Sequence, residues 1–467
     1  MIRKLKRLLL TNIKLNFIEE KVRFNFRTFF FNGIYFTNLR KGLVNGMNTK
    51  KIMTFAMAAA IVSGAFSGCG NGGSESSVSV ENSSETVSEG EMSSEIEKTP
   101  ETDEEWTAAM MKKAIVSYGN TDMMQKVIKK AQSGEKVTIA YLGGSITEGI
   151  SAGPEDCYAK LSYKHFAEKY GTGDNVEYCN AGLSGTPSKL GIFRLDRDVL
   201  SSEPDICFIE FAVNDSNDPE HQGAYESIVR TLLEKNIAPV LLFSVTKDDY
   251  SAQDYMKEIG EAYNLPMISY CDALRYLFEN NRMEWSDFSD DSAHPNKNGH
   301  KLVASMIDYY FDTVTDVESQ GEYHMPETEL HSLLSVNAHM KEGDVLKPVS
   351  LGSWEEGSSI TTFTNGWSHI LGENEPIVFE VKSKYLYLIY KEVKSGNLGK
   401  AHVKISADGK VLDEMDIDPI STYGWGNPQV TNLEMQSEET TYRVEISMKK
   451  GDEDKQFEIL GFGYVNE

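Results

Sequence analysis

Between about Trp106 and Asp316, short apolar runs alternate with amphipathic stretches. The runs Val137–Leu142, Val176–Asn180, Ile206–Phe211, Val240–Ser244 and Met267–Tyr270 have the length and composition of buried strands. Between them, Cys157–Tyr170, Ala224–Lys235 and Gln253–Tyr263 repeat apolar residues at helical spacing, and Asn298–Phe311 closes the series. Strand and helix in alternation predict a parallel sheet covered on both faces. In such α/β folds, ligands bind beyond the carboxyl ends of the strands.

The pattern changes after about Glu318. Ile377–Val381, Tyr385–Tyr390, Ala401–Ala407, Tyr442–Met448 and Phe457–Val465 are short alternating runs, separated by turn residues such as Asp408-Gly409. Helical periodicity is nearly absent, so an all-β unit is expected, built as a sandwich. The predicted division is an α/β unit over residues 106–318, a linker over 319–332 and the β-sandwich over 333–467. Trp354, Trp367, Tyr423 and Trp425 stand out in the β unit, and Gly424-Trp425-Gly426 reads as an exposed loop. Such rings either pack in a core or stack on sugar rings.

The amino-terminal part has a different texture. From Met47 a short basic start precedes an apolar run and then Phe66-Ser67-Gly68-Cys69, the layout of a secretory signal. Small residues directly before a cysteine resemble a bacterial lipobox, making residues 47–68 a lipoprotein signal peptide and Cys69 the lipidated first residue. The alternative is an uncleaved anchor helix, for which the apolar stretch is short. Residues 1–46 resemble neither signal nor domain and read as translated sequence upstream of a start at Met47. Residues 69–105, rich in Ser, Glu, Thr and Gly, cannot bury enough surface to fold and form a charged tether. The expected location is the extracellular face of the bacterial cell membrane, touched only through the lipid on Cys69.

With 467 residues and 40% hydrophobic content, the chain can build real cores. A formal net charge of -25 excludes nucleic acid as a partner, because phosphates would be repelled. Apart from Cys69, the cysteines are Cys157, Cys179, Cys207 and Cys271, with neither zinc spacing nor the density of a disulfide framework. No metal site or cofactor is expected.

The chemistry gathers where the predicted strands end. After the first comes Gly143-Gly144-Ser145-Ile146-Thr147-Glu148, a sharp turn that sets a serine hydroxyl at the sheet edge beside free backbone N–H groups. After the second comes Asn180-Ala181-Gly182-Leu183-Ser184-Gly185, where a glycine can offer its N–H unobstructed. After the third comes Ala212-Val213-Asn214-Asp215, which brings a carboxamide to the same edge. Near the end comes Asp290-Asp291-Ser292-Ala293-His294-Pro295, where a carboxylate can fold back on an imidazole. Assembled, Ser145 is the nucleophile, His294 the general base and Asp291 its orienter, with Asp290 as the alternative. The N–H groups of Ser145 and Gly185 and the amide of Asn214 form the oxyanion hole, with Gly182 the weaker choice of glycine. Trp285, near the Asp-His loop, lines the site or packs in the core. Glu148 shapes the pocket or lies on the surface. Lys189, Arg194 and Arg197 are expected on a solvated helix face.

These four blocks, in order between Lys136 and His300, resemble the SGNH, or GDSL-type, hydrolases. The resemblance implies a flavodoxin-like three-layer domain with a parallel sheet, and catalytic roles for Ser145, Gly185, Asn214, Asp291 and His294. Two positions depart from the family pattern: Gly144 stands where GDSL has Asp, and Ala212 where a glycine is usual. Both variants resemble secreted carbohydrate esterases, which points to O-acetyl esters on a polysaccharide or oligosaccharide. The competing expectations are a lipolytic or thioesterase hydrolase with the same triad, and a surface glycan-binding protein whose esterase site is vestigial.

Overall fold

The computed structural model describes residues 99–331 and 338–466. The expected signal peptide, Cys69, the segment before Met47 and most of the expected tether therefore lie outside the described residues. The last residues expected in the tether are helical. Thr102 accepts from Glu105 N–H and Glu105 reaches back to the Thr102 N–H, a capping box that starts the helix Asp103–Ala114.

A six-stranded sheet forms the centre of the α/β region. Its strands are β1 (Ile115–Ser117), β2 (Val137–Gly143), β3 (Val176–Gly182), β4 (Ile206–Glu210), β5 (Ala238–Phe243) and β6 (Met267–Ser269). Their order is β1-β6-β5-β4-β2-β3, with all neighbours parallel except the short antiparallel edge β1. Without that edge strand this is the flavodoxin-like order expected from the resemblance, and the chain reverses direction of growth between β2 and β4. Every residue of β2, β4 and β5 is buried, which is why they read as unbroken apolar runs.

Helices cover both faces. On one, Tyr158–Tyr170 and Lys297–Thr313 pack over Ile139, Tyr141 and Phe208. On the other, Pro219–Glu234 and Gln253–Ala262 pack over Leu142, Ile209 and Leu241. Asp218 caps the helix Pro219–Glu234 through the N–H groups of Glu220 and His221, with proline at its first position. The residues expected as a linker are bound to this surface. Tyr323 donates to the Tyr263 carbonyl, and the buried Glu226 carboxylate accepts the N–H groups of Leu330 and His331.

The carboxyl-terminal region is all antiparallel: β7 (Ala338–Lys341), β8 (Trp354–Glu356), β9 (Trp367–His369), β10 (Ile377–Val393), β11 (Ala401–Ala407), β12 (Lys410–Ile417), β13 (Trp425–Met448) and β14 (Glu458–Val465). The expected sandwich is built from one hydrogen-bonded path, β12-β11-β13-β10-β14-β9-β8, with β7 beside β14. The long partners β10 and β13 shift register at Ser383/Tyr385 and Leu386/Tyr387, irregularities of the kind that bend strands. Trp354 and Trp367 belong to the enclosed core, so their rings serve packing.

The two regions share a core. Burial in β10 alternates from Phe379 to Ser383 and becomes continuous from Leu386 to Tyr390. Leu386 and Leu388 face the β region's own core, whereas Tyr387 and Ile389 join the apolar layer on the parallel sheet. There the rings of Phe193 and Tyr387 lie 4.7 Å apart, and a side chain at Gly463 would meet Phe193 at 2.9 Å. Arg197 adds a polar tie, donating to Glu342 at 2.6 Å and to the Thr362 carbonyl at 3.0 Å.

Candidate active site

Ser145 opens a four-residue helix, Ser145–Glu148, directly after β2, and is only 7% exposed. His294 lies in the loop between the short helix Trp285–Phe288 and the helix Lys297–Thr313. Its Nε2 is 2.9 Å from Ser145 Oγ, and its Nδ1 is 2.7 Å from Asp291 Oδ2. The other carboxylate oxygen, Asp291 Oδ1, accepts the N–H groups of Ala293 and His294, both at 2.7 Å. A three-residue separation thus closes into a ring in which one carboxylate holds both backbone and imidazole. Asp291, not Asp290, is the imidazole's partner.

Burial pushes the Asp291 carboxyl up, but the two N–H donors and the imidazole outweigh it and hold it below the usual carboxylate range. The loop is braced as well. Ser289 Oγ donates to the His294 carbonyl at 2.6 Å, and Trp285 Nε1 donates to the Asp291 carbonyl at 2.6 Å. Trp285 also packs on Phe288 and borders an open cavity of about 520 Å³ with Lys247, Asp291 and Ser292.

Asn214 sits in a tight turn after β4, its N–H bonded to the Phe211 carbonyl. Its amide lies so close to Gly144 that a side chain there would meet Asn214 Oδ1 at 2.3 Å. In this chain the glycine in place of the GDSL aspartate is what admits the carboxamide. The next residue, Asp215, is buried and accepts Ser188 N–H at 2.8 Å and Tyr255 OH at 2.8 Å. It thereby ties the Asn214 turn to the loop that carries Gly185.

The two candidate glycines separate clearly. Gly182 N–H donates to Asn180 Oδ1 at 2.8 Å, and its Cα is pressed against the backbone of Glu148, where a Cβ would come within 2.1 Å. Gly185 has φ +70, a conformation that favours glycine, and a Cβ there would meet the Trp425 ring at 2.6 Å. Glu148 is neither idle nor simply on the surface. Its carboxylate accepts Ser184 N–H at 2.8 Å and also Ser184 Oγ, linking the nucleophile helix to the Gly185 loop.

Trp425 opens β13 instead of lying in a free loop, yet 63% of it is exposed. The neighbouring Asn427 donates to the Gly185 carbonyl at 3.4 Å. A ring from the β region therefore stands over Gly185 of the α/β region. Nearby Tyr423 is 77% exposed.

The solvated face expected for the arginines fails for Arg194. Arg194 is fully buried and donates to the carbonyls of Ala181 at 2.7 Å and Gly143 at 2.9 Å, gathering the ends of β3 and β2. Arg197 stays exposed but is engaged in the contact with the β region. Helical spacing could not reveal these contacts, because the Gly143 and Ala181 carbonyls and the Glu342 carboxylate belong to other elements. His300, also fully buried below the site, accepts Tyr158 N–H through Nδ1 at 3.1 Å, and burial holds its imidazole down to about 4. Among the described residues, no cluster of His, Cys, Asp or Glu could hold a metal ion.

Residues 141–302 match the family of GDSL-like lipases and acylhydrolases. This part of the chain is similar to the GDSL-like hydrolases. A two-domain esterase active on acetylated mannans is 26% identical and superposes with a TM-score of 0.69, over 76% of this chain and 98% of that one. The same kind of esterase co-crystallised with mannopentaose matches at 26% identity and a TM-score of 0.66, with the same coverage. No curated protein matches the chain by sequence. The family match and the superposition on an esterase across both regions support a carboxylic ester hydrolase.

Proposed function

We propose that this hydrolase removes O-acetyl groups from a polysaccharide or oligosaccharide through an acyl-enzyme on Ser145. The observation that carries the reading is the relay Ser145–His294–Asp291, at 2.9 and 2.7 Å, together with the exposed ring of Trp425 against Gly185. Ser145 Oγ attacks the ester carbonyl while His294 Nε2 takes its proton. The oxyanion is held by the N–H groups of Ser145 and Gly185 and by the amide of Asn214. The intermediate collapses, the sugar oxygen leaves with the proton from His294, and the acetyl group remains on Ser145. Water then attacks that acyl group with His294 as base, and acetate departs.

The β region completes the site from above. Trp425 offers a flat apolar face next to Gly185, suited to a pyranose ring, whereas Trp285 braces the Asp291 loop. The similarity to an esterase active on acetylated mannans favours a mannan among glycans. The same reading places the enzyme on the outer face of the bacterial membrane, held by a lipid on Cys69 and spaced from it by the charged tether. Acetate release from acetylated mannan, xylan and pectin, compared with hydrolysis of long-chain acyl esters, tests the substrate class. Release from a glycan with little turnover of long-chain esters is expected. The reverse preference contradicts the carbohydrate assignment and favours a lipolytic enzyme.

A further inference from the structure

One charged side chain beneath the site takes no part in the acyl transfer just described. Glu210 ends β4, is fully buried, and its carboxyl is pushed up by that burial. Its Oε1 accepts from Ser244 Oγ at 2.5 Å and its Oε2 from Thr147 Oγ1 at 3.1 Å, and Gly144 N–H is a further donor. Thr147 Oγ1 lies 2.7 Å from Tyr158 OH, so a hydroxyl chain can run from Tyr158 through Thr147 to the carboxylate.

These donors bracket the nucleophile. Gly144 precedes Ser145, and Thr147 follows it by two residues in a helix of only four. So short a helix has no stability of its own, and its geometry must come from tertiary contacts. The turn is also closely packed: a side chain at Gly143 would meet Thr147 Oγ1 at 2.1 Å and the Glu210 carbonyl at 2.6 Å. An apolar residue at 210 would avoid the desolvation of a carboxylate, but it would leave the Gly144 N–H and the Thr147 and Ser244 hydroxyls without this acceptor.

We propose that Glu210 is a positioning residue for ester hydrolysis: through Gly144 N–H and Thr147 Oγ1 it fixes the turn that aims Ser145 Oγ at His294 and Ser145 N–H at the oxyanion. The inference rests on Ser145 being the nucleophile. It assigns Thr147 to the same task as the link between the carboxylate and the nucleophile helix.

Ser145→Ala, Thr147→Val, Thr147→Ser and Glu210→Gln are compared by kcat, KM, thermal midpoint and the rate at which an organophosphonate labels Ser145. Misplacement of a reacting group by a fraction of an ångström to 1 Å is expected to lower kcat and labelling by about 10- to 100-fold in Thr147→Val and Glu210→Gln, with KM nearly unchanged. Thr147→Ser, which keeps the hydroxyl, recovers most of the rate. Wild-type kcat in Thr147→Val, or a loss accounted for by raised KM or by unfolded protein, overturns the proposal. If Glu210→Gln fails to fold, the Thr147 pair still decides. Activity surviving in Ser145→Ala overturns the nucleophile assignment itself. An inactive Ser145→Ala beside a fully active Thr147→Val overturns only the role given to Glu210.

Discussion

Asp291 shows how much one side chain can organise. Its two oxygens serve different partners, Oδ1 the backbone of its own loop and Oδ2 the imidazole, so the tautomer and direction of His294 follow from the loop conformation. With Nδ1–H directed to Asp291, Nε2 is left as the base toward Ser145. In the proposed mechanism Asn214 supplies the amide that meets developing charge. Loss of one such donor costs about 10²–10³ in turnover. Asn214→Ala should therefore fall by that factor in kcat with little change in KM, and a fall confined to KM would remove the amide from the oxyanion hole. His300 carries a separate, pH-linked prediction. Its imidazole stays neutral down to about pH 4 in the fold but protonates near 6.5 when unfolded, so the unfolded chain binds the extra proton between those values. Stability must fall as pH drops through that window, by about 3 kcal/mol from this residue. Denaturation midpoints of the wild type and His300→Gln should diverge in slope between pH 6.5 and 4; parallel curves would exclude His300 as the source.

Among the elements, what was legible in sequence was whatever burial had made periodic or continuous. The all-buried strands β2, β4 and β5 appear as apolar runs, and two of the four blocks of the site directly follow β2 and β4. The strand β12 was not legible because its residues are almost all exposed, so no alternation marks it. Much of β13 is half-exposed and polar, and the sequence showed only its last third. Contacts reached through the fold were equally silent. Nothing local to Arg194 announces that it will bind the carbonyls of Gly143 and Ala181, and nothing near Trp425 announces Gly185. The start of β13 is nevertheless where one element changes the chemistry of another. If the Trp425 face binds a sugar ring, Trp425→Ala should raise KM for an acetylated oligosaccharide roughly 5- to 10-fold, the scale of one aromatic contact. Turnover of a small aryl acetate, which needs no such surface, should stay near wild type. Equal losses on both substrates would make the ring a structural cover for Gly185 alone.

For the whole molecule, the decisive feature is that the β region is not a pendant. Tyr387 and Ile389 extend the apolar layer over the parallel sheet, Arg197 bridges to Glu342, and Trp425 reaches the site. The sequence predicted two units but not their shared core, because the alternation of β10 gives no hint of what its second face will meet. In the proposed mechanism the nucleophile, its base and its oxyanion donors all come from the α/β region, and the β region contributes the Trp425 ring against Gly185. That division fits an esterase that must hold a polymer while it attacks a small ester. The most direct test is the initial rate of acetate release from acetylated mannan by the wild type and Ser145→Ala at equal folded concentration. A loss on the order of 10⁴-fold or more in Ser145→Ala is predicted, as for removal of a serine nucleophile. Undiminished release by Ser145→Ala, or none by the wild type on any acetylated glycan, would contradict it.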